Sequence, residues 1–166
     1  MKNQKGFSLV ELLVVVIIIA IVAAIAIPNL LASRRAANEA SAISTLRTYH
    51  SAEATYQATS GNSTHYGNET DLAGLVDAIL AANNPTKSGY VFDVTVDGTG
   101  PTDSTNYCAT ATPSSQGSTG TRVFGISGDT GGVIYGSLPG VGTAAPTDAP
   151  TCAAGVFANN ASLPIS

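Results

Sequence analysis

Between Leu12 and Ile27 the chain carries no polar side chain at all. The run widens to Phe7–Leu31, FSLVELLVVVIIIAIVAAIAIPNLL, interrupted only by Ser8, Glu11, Pro28 and Asn29. As a helix rising 1.5 Å per residue, this stretch would be roughly 37 Å long, enough to cross a hydrocarbon core of about 30 Å. A soluble domain has little use for a helix that is apolar on every side, so this one must face lipid or other protein all round. Glu11 sits near its start. A charged acid at bilayer depth costs about 2.5–3.5 kcal/mol, so Glu11 calls for a partner or a task.

The residues before the run sharpen this reading. Met1–Gly6 is MKNQKG, with Lys2, Lys5 and then a small residue directly before Phe7. An ordinary secretory signal is cut after its apolar region, which is then lost. Here the small residue stands before the apolar region. Cleavage after Gly6 would remove residues 1–6 as a leader and keep the helix as the mature N-terminus. The lysines hold the leader on the cytoplasmic side and send the rest outward.

Lys5-Gly6-Phe7-Ser8-Leu9-Val10-Glu11-Leu12-Leu13, the apolar run and Ala26-Ile27-Pro28-Asn29 together resemble the class III signal of type IV pilins and type II secretion pseudopilins. The resemblance covers about residues 1–60. It implies a prepilin peptidase that cuts between Gly6 and Phe7 and N-methylates Phe7. It also implies that Glu11 pairs with the terminal amine of Phe7 on a neighbouring subunit during assembly. Many pilins have glycine where this chain has Ala20, so any loosening of the helix rests on Pro28.

Composition narrows the remaining classes. Without Lys2 and Lys5 the 7 basic side chains fall to 5 against 11 acidic ones, a formal −6. That balance argues against a nucleic-acid partner, which needs a basic stripe. With no Trp and one Met, the initiator, the core must come from Val, Ile, Leu, Ala, Tyr and Phe. There is no nucleophile elbow, no HExxH and no phosphate loop, so no enzyme activity and no cofactor is expected.

Past the apolar run the helix should continue over residues 32–60, since Ala32–Thr59 holds no Gly or Pro. Ala36, Ala40, Ile43, Leu46, Tyr49 and Tyr56 recur at helical steps and mark an apolar face. Arg34, Arg35, Asn38, Glu39, Ser41, Thr45 and Arg47 mark the polar one, and Gly61 is a natural stop. Pro28 lacks an N–H and its ring meets the carbonyl of Ala24. With no turn signal on either flank, one kinked helix is expected rather than two.

Residues 61–166 form the exported region. Leu72, Leu75, Val76, Ile79 and Leu80 lie at helical spacing, so a short helix is expected near Asp71–Leu80, ended by Asn83-Asn84-Pro85. The period then changes to two. Tyr90–Val96, Asn106–Thr112, Arg122–Ser127 and Gly132–Tyr135 read as strands, the last two flanking a Gly128–Gly131 hairpin signal. Ser137–Ser166 reads as a loop-like tail. The fold class expected is α+β. A long N-terminal helix kinked at Pro28 packs by its outer half against a small antiparallel sheet of about four strands, followed by a loop-rich tail.

Cys108 and Cys152 both lie in the exported part, where disulfides persist. A bridge between them would close a loop worth roughly 4 kcal/mol by chain entropy. A metal site on them would need further matching ligands, and neither His50 nor His65 is near in sequence; neither histidine is given a role. Asp93, Asp97 and Asp103, with Gly98 among them, are candidates for oxygen ligands to calcium, which major pseudopilins hold in their globular domain. Their spacing is not an EF-hand, and Asp in a Gly-rich turn is ordinary turn chemistry, so no metal is assigned. Asn-x-Ser/Thr matches at Asn62, Asn68 and Asn160 are ordinary in so Asn- and Thr-rich a chain.

The resemblance therefore implies a structural subunit of a type IV pilus-like filament. Its precursor would sit in the inner membrane among lipid, and its product would be a homopolymer of identical subunits at the cell surface. Its partners would be the prepilin peptidase and an inner-membrane assembly platform. One alternative is the major pseudopilin of a type II secretion system, in a periplasmic pseudopilus. Another, of a different class, is a single-pass membrane-anchored binding module.

Overall fold

The computed structural model describes residues 6–61, 63–98, 103–137, 151–153, 156–158 and 163–165. The chain divides into two compact units, Met1–Arg34 and Arg35–Ser166. One helix, α1, runs from Leu9 to Thr59 and passes through Pro28 without a break in assignment. Pro28 leaves the Ala24 carbonyl without its usual donor. One residue further on, the Asn29 side-chain amide donates to the Ile25 carbonyl at 3.0 Å. The expectation of one helix rather than two is met.

In the second unit α1 buries Ala42, Thr45, Leu46, Tyr49, Ala52, Glu53 and Tyr56. The steps of three and four make one face around Leu46, Tyr49 and Tyr56, as expected, and it differs from the sequence reading only at its margin. Ala36 and Ala40 are exposed, while Thr45, assigned to the polar face, is buried. Tyr49 and Leu46 are the bulky members at its centre; an alanine contributes too little area to fix the margin. The helix ends where the Ser60 and Gly61 N–H groups both donate to the Tyr56 carbonyl. Gly61 is required there because a side chain would collide with the His65 backbone carbonyl.

Six strands form the main sheet. They are β1 (Thr86–Lys87), β2 (Tyr90–Val96), β3 (Tyr107–Pro113), β4 (Phe124–Ser127), β5 (Ile134–Gly136) and β8 (Leu163–Ile165), in the order β1-β2-β3-β4-β5-β8. Every pairing is antiparallel. Phe92 stands opposite Ala111, which stands opposite Phe124, and Val94 opposite Ala109, which stands opposite Ile126. Large and small side chains thus alternate across the inner face and interlock over Leu46 and Tyr49. Tyr49 and Tyr90 keep their hydroxyls satisfied in this core, donating to the carbonyls of Leu80 at 2.8 Å and Arg122 at 2.9 Å.

Three sequence expectations need correction. The sheet has six strands, not about four, because β1 and β8 are too short to show alternation. The tail is not wholly loop-like: it supplies β8 and a separate ribbon of β6 (Thr151–Ala153) and β7 (Val156–Ala158). Finally, Asp71–Leu80 forms separate turns rather than a helix. Gly74 has φ +90°, which a right-handed helix does not admit. The Asp77 carboxylate then draws the N–H groups of Ile79 and Leu80 into a new turn. Leu72 and Leu80 are still buried, but Leu75 and Ile79 face outward.

Candidate functional site

The first unit contains the segment that sequence analysis singles out. Gly6, Phe7 and Ser8 precede the helix in non-helical backbone, and Phe7 is 78% exposed. Among the described residues nothing lies within 4 Å of where a side chain on Gly6 would stand, so none of them imposes its small size by packing. Ser8 stands at the N-cap, and the Glu11 carboxylate reaches back to accept the Ser8 N–H at 3.4 Å. Ser8-Leu9-Val10-Glu11 thus has the spacing of a capping box, in which a glutamate at the third helical position satisfies the N-cap donor. This use of Glu11 is legible in the sequence as S-x-x-E ahead of an apolar run. The carboxylate also complements the positive end of the helix dipole.

From Leu9 to Leu31 the apolar side chains have no cover. The richest window has a mean hydropathy of 3.3 with none of it buried, and α1 is long and apolar enough to cross a membrane. Each such side chain left in water forgoes about 1.5–3 kcal/mol of burial. That surface requires an apolar environment.

The second unit holds the other candidates. Cys108 and Cys152 are bonded, with Cα atoms 5.9 Å apart, and the bond fastens the β6–β7 ribbon to the sheet at β3. The three calcium candidates are not brought together: among the described residues no three acidic, histidine or cysteine side chains are grouped to hold a metal. Asp97 instead caps the β2–β3 loop, accepting the N–H groups of Thr105 at 2.6 Å and Asn106 at 2.9 Å. Desolvation pushes its carboxyl up, but the hydroxyl of Thr105 together with these N–H groups holds it below the ordinary aspartate value. Its two oxygens take up the Thr105 hydroxyl as well as these two N–H groups. Neither histidine is idle. His50 Nδ1 shares a short hydrogen bond with the Tyr107 hydroxyl, and His65 Nδ1 meets the Ser104 carbonyl at 3.1 Å.

Two buried carboxylates escaped the sequence reading. Glu53 is fully buried on α1, and desolvation raises its carboxyl to about 8 even though the Gly67 N–H partly offsets the shift. Glu69 is buried too and accepts the Val94 N–H at 2.8 Å; burial also raises its pKa. The spacing of Glu53 from Tyr49 and Tyr56, four and three residues away, was the signal that placed it inward. Asn38, Glu39 and Ser41 likewise do not face solvent idly. Asn38 donates to the Thr119 carbonyl at 2.8 Å, Glu39 accepts the Thr121 N–H at 3.0 Å, and Ser41 meets Ser88 at 2.9 Å. They tie the β1–β2 and β3–β4 connections to the helix.

Comparison with known proteins agrees with this geometry. Residues 1–27 match the model of the prokaryotic N-terminal methylation motif. The chain is 64% identical over 39 residues to the type IV wide pilus major component PilA4 of Thermus thermophilus, covering 24% of this chain and 30% of that one. It is 32% identical over 94 residues to type II secretion system core protein G of Klebsiella pneumoniae, covering 55% of this chain and 66% of that one. The protein G of Aeromonas hydrophila is 30% identical over 93 residues, covering 54% and 64%. The chain thus spans less than two thirds of the length of each of these relatives. With its methylation motif, its bare apolar helix and these relatives, the chain resembles type IV pilins and type II secretion pseudopilins.

Proposed function

We propose that the chain is the structural subunit of a type IV pilus-like filament, made in the inner membrane and matured at its N-terminus. Hydrolysis of the Gly6–Phe7 peptide bond releases residues 1–6, and transfer of a methyl group to the new amine completes the mature chain. The uncovered apolar surface of α1 carries this reading. In the membrane it is solvated by lipid, and in the filament by the same segment of identical subunits. Moving between two apolar surroundings gains little by area alone, so assembly needs packing, a charge pair and an energy-consuming platform. Glu11 of one subunit facing the Phe7 amine of the next would neutralise two charges that are costly apart.

The pseudopilin reading has its own support. The matches to protein G extend over more than half of this chain, whereas the match to the wide-pilus component is confined to 39 residues. Against it stand the higher identity of that shorter match and the disulfide-tied ribbon, which suits an exposed fibre. The test is to shear cells that express the chain, probe the sheared material with an antibody to it, and weigh the intact mature chain. Surface filaments of a chain beginning at methylated Phe7 are expected. Material confined to the periplasm would select the pseudopilus, and full-length chain in filaments would refute the maturation step.

A further inference from the structure

We propose that the surface around Arg47 on α1 receives the acidic end of the sheet of a second copy of this chain. This rests on the assembly reading above and names a surface that would serve it. The observation behind it is a separation of charge within the second unit. Its basic side chains are Arg35, Arg47, Lys87 and Arg122. Lys87 is held by Asp77 at 2.8 Å. Arg122 donates to the Ser137 carbonyl at 3.2 Å and lies over the Phe124 ring. Arg47 is exposed and, among the described residues, reaches no carboxylate.

Arg47 stands in a groove of about 380 Å³ lined by Ser44, Thr48, Ser51, Thr55 and, from the turn region, Leu75. Thr48 and Thr55 donate back to the helix carbonyls of Ser44 and Ser51, so their hydroxyl protons are already used. The guanidinium is the groove's cation, and Leu75, 40% exposed, gives it an apolar rim. The groove therefore suits an acidic loop with a little apolar surface.

This chain has such a feature at one end of its sheet. Asp129 is exposed in the β4–β5 connection, and Asp97 and Asp103, also exposed, lie in the β2–β3 connection, where the Asp97 oxygens are taken up by Thr105 and Asn106. Asn106 joins the two: its carbonyl accepts the Asp97 N–H at 3.1 Å and its side-chain oxygen accepts the Asp129 N–H at 3.1 Å. The acids are thus carried on one braced platform, with Asp129 at the tip of its turn. Among the described residues no ion pair joins Asp129 to Arg47 within one copy, but two copies can bring them together. The two surfaces differ, so the contact is heterologous. Such a contact does not close on itself as a two-fold dimer does; it repeats, as a fibre requires. Like a charged pair at any interface, it would set register and exclude wrong alignments more than supply affinity.

The test uses the full chain in cells lacking the wild-type copy, reading the ratio of sheared filament to membrane-held protein. Arg47→Glu is expected to lower that ratio about tenfold, Asp129→Arg similarly, and the double reversal to recover most of it. Asp129 also contacts Ser127 within its turn, so a second measurement avoids the reversal. Arg47→Cys combined with Asp129→Cys should give a reducible ladder of oligomers on mild oxidation of filaments, and neither single variant should. Wild-type filaments together with an unaffected Arg47→Glu, or with no ladder from the cysteine pair, would overturn the contact alone. A wild-type chain that leaves no filament overturns the assembly reading, and the contact with it.

Discussion

Glu53 on the helix accepts the Gly67 N–H at 3.1 Å through one carboxylate oxygen, while its other oxygen, fully buried, meets no hydrogen-bond partner among the described residues. A charged carboxylate left half satisfied in the core is strongly unfavourable, and the group answers by holding its proton. Glu69 and Asp71 nearby push in the same direction.

The consequence is a stability that falls with alkali. The folded pKa of Glu53 is raised from 4.5 to about 8, so between those values the folded state binds the extra proton. Its contribution is fully present below about 4.5 and is lost as pH rises through about 8, at roughly 1.4 kcal/mol per pH unit in between. Glu69, raised in the same direction, adds to the slope. Denaturant midpoints of the full chain in detergent micelles should decline from pH 5 to 8. Glu53→Gln, which keeps an acceptor for Gly67 and has no charge to acquire, should flatten the decline. An equally steep profile in that variant would show that the slope arises elsewhere.

Glu11 caps α1 through Ser8, and the proposed assembly gives it a second, separable task, pairing with the Phe7 amine of the next subunit. Glutamine serves as well in a capping box but is neutral. Glu11→Gln should therefore keep helix content, membrane insertion and leader processing, and yet leave the chain in the membrane pool. Glu11→Ala should do the same with a frayed first turn. Normal filaments from Glu11→Gln in cells lacking the wild-type chain would dismiss the charge pairing with Phe7 and leave Glu11 as a cap.

Among the described residues a side chain at Gly6 would touch nothing, so none of them resists its replacement. On the proposed maturation, Gly6→Val should nevertheless leave the full-length precursor uncut, because the demand for a small residue would come from the peptidase and not from the fold. Intact-mass measurement decides it, and efficient processing of the variant would move the cleavage site.

The bond between Cys108 and Cys152 closes most of the way from β3 to the tail. Reduction, or Cys108→Ser, should lower the stability of the second unit by at most about 4 kcal/mol and release the β6–β7 ribbon. Amide exchange should rise first in residues 151–158, while Leu9–Leu31 is unaffected. Identical melting with and without reductant would remove the bond from the stability account.

What the amino-acid order determined alone was whatever depends on local or one-dimensional properties. A run of apolar residues has only an apolar surrounding open to it, so its length and purity suffice to define the segment Phe7–Leu31. Period-two alternation in Tyr90–Val96 suffices for β2, whose ends lie where the alternation does. Tertiary structure decided everything that is settled by a partner distant in sequence. Three-residue strands such as Leu163–Ile165 have too few residues to alternate and exist because β5 offers an open edge. Asp71–Leu80 has helical spacing, yet Gly74 and the Asp77 side chain make two turns that bury Leu72 and Leu80 over Tyr49. The buried helix face is centred on Leu46, Tyr49 and Tyr56 as their spacing implies, but which small residues join it, Ala42 and Thr45 rather than Ala36 and Ala40, was decided by packing. Glu53 became a proton-holding group because its surroundings, brought together by folding, deny it water; no neighbour in sequence does so.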